Sequence, residues 1–306
     1  MKKKSISSFI ILTFFAAVSY SQSVSFLNTP SDARSAAMGN AGYLLASPFS
    51  VQYNSASVMA GSLLQTGVGV SALFWQPREA GATLFNVAGF HKIKKFGFLA
   101  GFRSNKTGDI AKSDANGNIT GSFSPFEYAF EIGMGYDVST NVSLGISLRH
   151  LSSQMDQNIK SSALASDISM LYHHGNLRLG LGISNLGSKI DYGNTKYSLP
   201  ARIKSGIAYH LTLSNDQALI TVADLFYQLT PDYSGVASGL GVEYNYKKLI
   251  ALRTGYHFES KSVGASYATI GLGTKFSGLS LDLAYLIAQE NNPMRQTLLF
   301  SLKWEK

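Results

Sequence analysis

The stretch Phe126–Leu151, FEYAFEIGMGYDVSTNVSLGISLRHL, decides the fold. From Phe126 every second residue is large and apolar: Phe126, Tyr128, Phe130, Ile132, Met134 and Tyr136. Between them stand Glu127, Ala129, Glu131, Gly133, Gly135 and Asp137. After Ser139-Thr140-Asn141 the rhythm returns, with Val142, Leu144, Ile146 and Leu148 alternating with Ser143, Gly145, Ser147 and Arg149. A period of two means strands with two differently solvated faces. One face here is as apolar as lipid, and the other carries ionisable groups among glycines. A soluble sheet shows the same alternation, so recurrence along the chain has to decide.

It recurs about fourteen times after Leu64. The expected strands are 64–75, 80–91, 96–105, 124–137, 141–152, 162–173, 177–186, 201–212, 217–228, 235–246, 249–259, 265–276, 279–288 and 295–304. Their connections alternate in length. Lys92–Lys95, Val138–Thr140, His174–Asn176, Leu213–Asp216, Lys247-Lys248 and Ser277-Gly278 are tight. Lys106–Ser122, Ser153–Ser161, Gly187–Pro200 and Gln289–Pro293 are longer, and Gln76–Glu79 is the short exception on that side. Short turns on one side and longer loops on the other are the outer-membrane barrel pattern. The expected fold is all-β, a single-chain 14-stranded antiparallel transmembrane β-barrel with both termini on the periplasmic side. A large soluble β-sandwich is the competing fold, and it leaves the loop asymmetry unexplained.

Side-chain placement follows. Leu177, Leu179, Leu181 and Ile183 form one outward stripe, and Leu298, Phe300, Leu302 and Trp304 another. Tyr136, Tyr172, Tyr209, Tyr244 and Tyr285 stand at or near strand ends, where an aromatic girdle belongs. The inward set comprises Arg103, Glu127, Glu131, Arg149, Asp167, Arg178, Arg202, Lys204, Glu243, Arg253, His257 and Asp282. Both signs of charge among small residues point to a packed or plugged lumen with ion pairs rather than an open pore. Arg103, Glu127, Glu131, Arg149, Asp167, Arg253 and Asp282 are the candidate lumen network, either ordinary structural pairs or a functional site.

Composition agrees with the membrane reading. Charged residues are 14% of the chain, against about 25% for soluble domains, with 29 Gly, 16 Tyr and 18 Phe. The chain opens Met1-Lys2-Lys3-Lys4, continues with an apolar run Phe9–Val18 and reaches small residues at Ser19-Tyr20-Ser21. This reads as a removable secretory leader over 1–21, too short to span a bilayer. Without Lys2, Lys3 and Lys4 the formal charge falls from +8 to +5, spread thinly enough that nucleic acid is not implied. There is no cysteine, hence neither a lipoprotein nor a disulfide scaffold.

Residues 22–62 lack the two-residue rhythm, and the barrel is expected over 63–306. Thr29-Pro30 reads as an N-cap followed by proline at the first position of a helix running to Met38 and stopping at Gly39-Asn40. A second short helix is expected over Ser55–Ala60. This N-terminal segment is a periplasmic lid or a plug entering the barrel, and Pro30, Asp32, Arg34, Met38, Gly39 and Asn54 are its candidate hatch residues.

No catalytic constellation stands out. His91, His150, His173, His174, His210 and His257 lack zinc-binding spacing, and no G-x-S-x-G elbow occurs. Gly239-Leu240-Gly241 and Gly271-Leu272-Gly273 lie within strands, away from any helix terminus that could hold phosphate. His150 is expected in the lumen or near the rim with Ser152 close by, with no acid to orient it. The chain reads as a non-enzyme without cofactor or metal.

Several stretches together resemble the PorV/PorQ family, outer-membrane proteins of the type IX secretion system in Bacteroidota, related in fold to FadL transporters. They are Phe26-Leu27-Asn28, Ser31-Asp32-Ala33-Arg34-Ser35-Ala36-Ala37-Met38-Gly39, Pro125-Phe126-Glu127-Tyr128-Ala129 and Leu148-Arg149-His150-Leu151-Ser152-Ser153. Ser184-Asn185-Leu186-Gly187-Ser188-Lys189-Ile190, Leu199-Pro200, Ala251-Leu252-Arg253-Thr254-Gly255-Tyr256, Leu281-Asp282-Leu283-Ala284-Tyr285-Leu286 and Asn292-Pro293 follow in order. The middle and C-terminal stretches are closer to PorV than to PorQ. Asn54-Ser55-Ala56 stands where the family usually has Asn-Pro-Ala. The resemblance implies a fourteen-stranded barrel and an accessory role in protein secretion. Its implied partners are a large secretion-pore barrel, secreted proteins carrying a C-terminal sorting domain, and outer-membrane lipid or lipopolysaccharide. FadL-like transport of hydrophobic small molecules is the alternative.

Overall fold

Once strands alternate between lipid and a polar interior, every backbone N–H and C=O in the wall must find a partner strand, because hydrocarbon offers none. The chain meets this by closing on itself. The computed structural model describes residues 24–60, 64–74, 81–193, 195–230, 234–290, 292 and 294–306. Its strands are β1 (Thr66–Phe74), β2 (Thr83–Ile93), β3 (Phe96–Lys106), β4 (Ile110–Ser113), β5 (Ile119–Phe123) and β6 (Phe126–Asp137). Then come β7 (Val142–Asp156), β8 (Ile159–His174), β9 (Leu177–Gly187), β10 (Ile190–Asp191), β11 (Lys196–Tyr197) and β12 (Arg202–Ser214). The last six are β13 (Gln217–Gln228), β14 (Gly235–Tyr246), β15 (Ile250–Glu259), β16 (Tyr267–Phe276), β17 (Leu279–Ile287) and β18 (Leu298–Glu305).

Leaving out β4, β5, β10 and β11, the strands pair in sequence order around a closed antiparallel barrel. β1 zips to β18 from Gly67↔Glu305 to Phe74↔Leu298, so no edge is left for another chain to template on. The expected barrel of 14 strands is therefore the one observed. The same pairing puts the start of β1 and the end of β18 at the short-turn end. Two of these turns, Lys247-Lys248 and Ser277-Gly278, have two successive residues at positive φ, the arrangement whose twist matches a tight hairpin.

Differences from the sequence reading fall at the other end. Ser153–Ser161 is not a long loop. β7 and β8 continue through it, pairing out to Gln154↔Lys160, with a register shift before Asp156. Beyond the lipid the outward face no longer has to be apolar, so hydropathy fades while the ladder runs on. Lys106–Ser122 contains the β4–β5 hairpin, and Gly187–Pro200 carries the two-residue strands β10 and β11. The exceptional connection Gln76–Glu79, the 62/63 boundary, Pro293 and the leader over 1–21 lie outside the described residues.

The core sits between the wall and residues 24–60, which fill the barrel. Phe49, Val51, Val58 and Met59 pack on Ala88, Phe90 and Leu99. Met38, Tyr43 and Leu44 pack on Leu171, Ala208, Val222 and Phe226. Fully burying a side chain such as Phe49 contributes about 1.5–3 kcal/mol. The segment is thus a plug rather than a lid. Its helices differ from expectation. Thr29 is not the cap; the helix α1 (Ala33–Ala37) starts later, with Asp32 as N-cap accepting from the Ser35 N–H at 3.0 Å. The Asp32 side chain takes over because a carboxylate satisfies orphan first-turn donors better than the Thr29 hydroxyl, which instead bonds the Phe26 carbonyl at 2.6 Å. A further helix α2 (Ser50–Tyr53) precedes a 3₁₀ turn over Ser55–Met59, where the second helix was expected.

Candidate functional site in the plugged lumen

Alternation carries one residue in two from every strand into the lumen, and antiparallel register sets which of them meet. Glu131 of β6 stands opposite Arg149 of β7, and Glu243 of β14 opposite Arg253 of β15. Both pairs are buried and close, with Arg149 Nε 2.5 Å from Glu131 Oε1 and Arg253 Nε 2.5 Å from Glu243 Oε2. Each pair seeds a larger network.

In the first, Arg149 Nη2 reaches Asp167 Oδ2 on β8 at 3.2 Å and its Nη1 donates to Asn185 of β9. Arg103 on β3 lies 3.8 Å from Glu131 but directs its donors to the plug, to the Phe26 and Leu27 carbonyls at 3.3 Å and Ser31 Oγ at 2.5 Å. In the second, the plug itself supplies a cation. Arg34 clasps Glu243 with both oxygens engaged, Nε–Oε2 at 2.7 Å and Nη2–Oε1 at 2.8 Å. Arg253 Nη1 continues to Asp282 Oδ1 at 2.7 Å, and Lys303 Nζ reaches Asp282 Oδ2 at 2.7 Å. The bidentate fork gives this contact direction as well as charge.

Of the seven candidate lumen residues, Arg103, Glu131, Arg149 and Asp167 come together in one network, and Arg253 and Asp282 in the other. Glu127 joins neither. It points inward but accepts from Asn105 at 3.1 Å and Ser153 at 3.2 Å rather than from Arg149. Register explains this: Glu127 faces Ser153, four residues up β7 from Arg149 and more than a side chain's reach away.

The hatch candidates are all plug residues. Pro30 and Asp32 are buried beside Ser31, whose carbonyl accepts from Ser71 and Asn86 of the wall. Asn54 caps the last turn, accepting from Ala56 N–H at 2.9 Å. Met38 and Gly39 press against bare strand backbone. A Cβ at Gly241 would lie 2.6 Å from the Met38 carbonyl oxygen, and one at Gly39, whose φ is +70°, would lie 2.5 Å from the Tyr256 carbonyl oxygen. A Cβ at Gly135 would meet the Ser55 carbonyl oxygen at 2.7 Å. Inward glycines of the strands are therefore the seat on which the plug backbone rests.

His150 is not in the lumen. It sits on the outward face of β7 beside Tyr128, ring centroids 6.5 Å apart, as its parity with Leu148 requires. Among the described residues no group of three or more His, Asp or Glu side chains is arranged to hold a metal ion. Two wall residues escaped the sequence reading. Lys303 and Asp224 were legible by parity, since Trp304 and Leu225 face outward. The Asp224 contact to the Tyr43 N–H, at 2.9 Å, was not legible, because it joins strand to plug across 181 residues of chain.

The family profile described as type IX secretion system protein PorV matches residues 17–233, well over half of the chain. The chain belongs to the PorV family. Family and fold make this PorV-family barrel an outer-membrane component of the type IX secretion system. Among curated protein sequences there is no significant match. Among solved structures the barrel is similar to the Ralstonia pickettii toluene transporter TbuX, with a TM-score of 0.65 at 13% identity, covering 90% of this chain and 98% of that one. The Pseudomonas putida toluene transporter TodX gives a TM-score of 0.61 at 12% identity, with 88% and 95% covered. A Pseudomonas aeruginosa FadL homologue gives 0.56 at 12%, with 90% and 98% covered. At such identities the likeness is one of fold.

Proposed function

We propose that this PorV-family barrel is a non-enzymatic accessory of type IX secretion that binds the secretion pore, the secreted cargo or both, and helps deliver cargo to the cell surface. The observation that carries the reading is the plug. A lumen occupied by residues 24–60 and cross-linked to the wall by Arg34–Glu243 and by Arg103 offers no wide passage, which leaves the outer loops and the apolar wall as working surfaces. The β4–β5 hairpin is one of these surfaces, with Ile110 and Ile119 exposed. The partners on this reading are a large secretion-pore barrel, cargo bearing a C-terminal sorting domain, and outer-membrane lipid. The leader ends at Ser21, residues 22–62 form the plug, and both termini are periplasmic. Affinity purification from the native membrane recovers the large barrel, and deleting the gene leaves cargo unexported or unattached. Normal cargo display in the deletion strain sinks the reading.

FadL-like transport of hydrophobic molecules is the second reading, and one seam of the wall favours it. Pairing of β15 with β16 ends at His257↔Tyr267, and two pockets flank this point, of about 330 Å³ beside the plug and about 860 Å³ towards the outer wall. Both touch Glu259, Gly264, Ala265, Tyr267 and Asn292. Two of the similar folds are those of toluene transporters. A lipid or detergent chain threading between Glu259 and Tyr267 in an experimental density map supports transport, whereas a seam closed by side chains and water counts against it.

A further inference from the structure

A second, smaller void lies deeper, where the plug meets β3 and β12. Plug residues Asn28, Tyr43 and Gln52 and wall residues Arg103, Arg202 and Lys204 enclose a cavity of about 30 Å³. Three of these six carry positive charge, and no Asp or Glu lines the cavity. Among the described residues the Lys204 ammonium makes no hydrogen bond and no close ion pair; it lies 5.9 Å from the centre of the Tyr43 ring and interacts at longer range with the charge of Asp167. Arg103 spends its terminal nitrogens on the plug, and its Nε, 3.8 Å from Glu131 Oε1, makes no hydrogen bond. Gln52 is 4% exposed and its amide has no partner at either end; Asn28 Nδ2 and Tyr43 Oη are equally unmatched.

Carboxylates stand near, and each already accepts at least one hydrogen bond, although Glu131 Oε2 and Asp224 Oδ1 have no partner of their own. Glu131 and Asp167 are held by Arg149, and Asp167 shares the neighbouring cavity with Lys204. Asp32 accepts from the Ser35 N–H and hydroxyl, and Asp224 accepts from the Tyr43 N–H. A buried charge whose counter-charge is not in hydrogen-bond contact is costly, as is a buried donor without an acceptor. One occupant relieves both at once.

We propose that this cavity is a binding site for a small monovalent inorganic anion of about chloride's size, bridging plug and wall. Its ligands are the Lys204 ammonium, Arg103 Nε, the Gln52 amide N–H and Asn28 Nδ2. Room for one water takes roughly 10–15 Å³, so about 30 Å³ admits a halide or two waters. The site shares Arg103 with the first ion-pair network and ties the plug to the strands.

The test uses the whole barrel in detergent. Crystals grown in sodium bromide show one anomalous peak within contact distance of Gln52 and Lys204. Thermal unfolding at constant ionic strength moves upward with the logarithm of bromide concentration relative to gluconate, and Lys204→Met flattens the dependence. The bromide peak decides, and it needs no variant to fold. A cavity holding only water at high bromide overturns the proposal, as do equal midpoints in bromide and gluconate.

Discussion

At the residue scale, the lumen contacts are few, buried and directional. Glu243 holds two arginines, one from the plug and one from β15. Removing one partner of a buried pair strands the other and costs about 3–5 kcal/mol. Glu243→Ala is therefore expected to lower unfolding stability by that order, read from urea titration of the detergent-solubilised barrel. Glu127→Ala, which removes hydrogen bonds from Asn105 and Ser153 and no ion pair, costs less, about 1–3 kcal/mol. Equal losses for the two variants contradict the difference drawn between them. On the opposite face the same strands obey lipid. Leu181 is 53% exposed on the outer wall, and Leu181→Arg is expected to cost about 2–4 kcal/mol if it lies near the bilayer midplane.

At the element scale, the plug and the strand glycines were shaped together. The Met38 carbonyl approaches Gly241 too closely for any side chain, so Gly241→Val must lift the Met38–Gly39 segment off β14. The barrel ladder does not depend on that contact. The expected outcome is a heat-resistant barrel by gel mobility whose plug is opened to thiol labelling at Ala37→Cys, while the same cysteine in the unaltered barrel stays protected. The outer hairpin is built differently, by local bonds. At its tip, Asn118 and neighbouring backbone N–H groups hold the Asp114 carboxyl below the usual carboxylate range. A depressed value means stabilisation that is present at neutral pH and lost as pH falls through it. Loosening of this turn in acid, followed by hydrogen exchange at Asn116 and Asn118, is the corresponding readout.

For the whole molecule, closure and plugging together leave the outer loops and the wall as the surfaces on which the recognition proposed above would act. Cysteines placed on opposite ends report the orientation proposed above. Asn116→Cys is labelled on intact cells by a membrane-impermeant reagent, and Ser139→Cys is labelled only after the outer membrane is breached. The reverse pattern would place the termini outside. Excising the β4–β5 hairpin leaves the barrel folded, since its ladder is separate from that sheet, and is expected to cost partner recovery in affinity purification.

The wall was legible in the sequence because a period of two is a local property. Phe126–Leu151 announced which residues face lipid, and the inward position of Glu131, Arg149, Arg253 and Asp282 followed by parity alone. Strand ends beyond the lipid were not, since Gln154 to Lys160 keep the ladder after hydropathy has stopped reporting it. The pairing of Arg34 with Glu243, the exclusion of Glu127 from the arginine networks and the seat of Gly39 on β14 and β15 depended on tertiary structure. Parity says which way a side chain points, but only closure of the barrel around its own N-terminal segment sets what it meets there. A segment without period, such as residues 24–60, carries no local signal of its neighbours; its place is decided by the shape and charge of the lumen it fills.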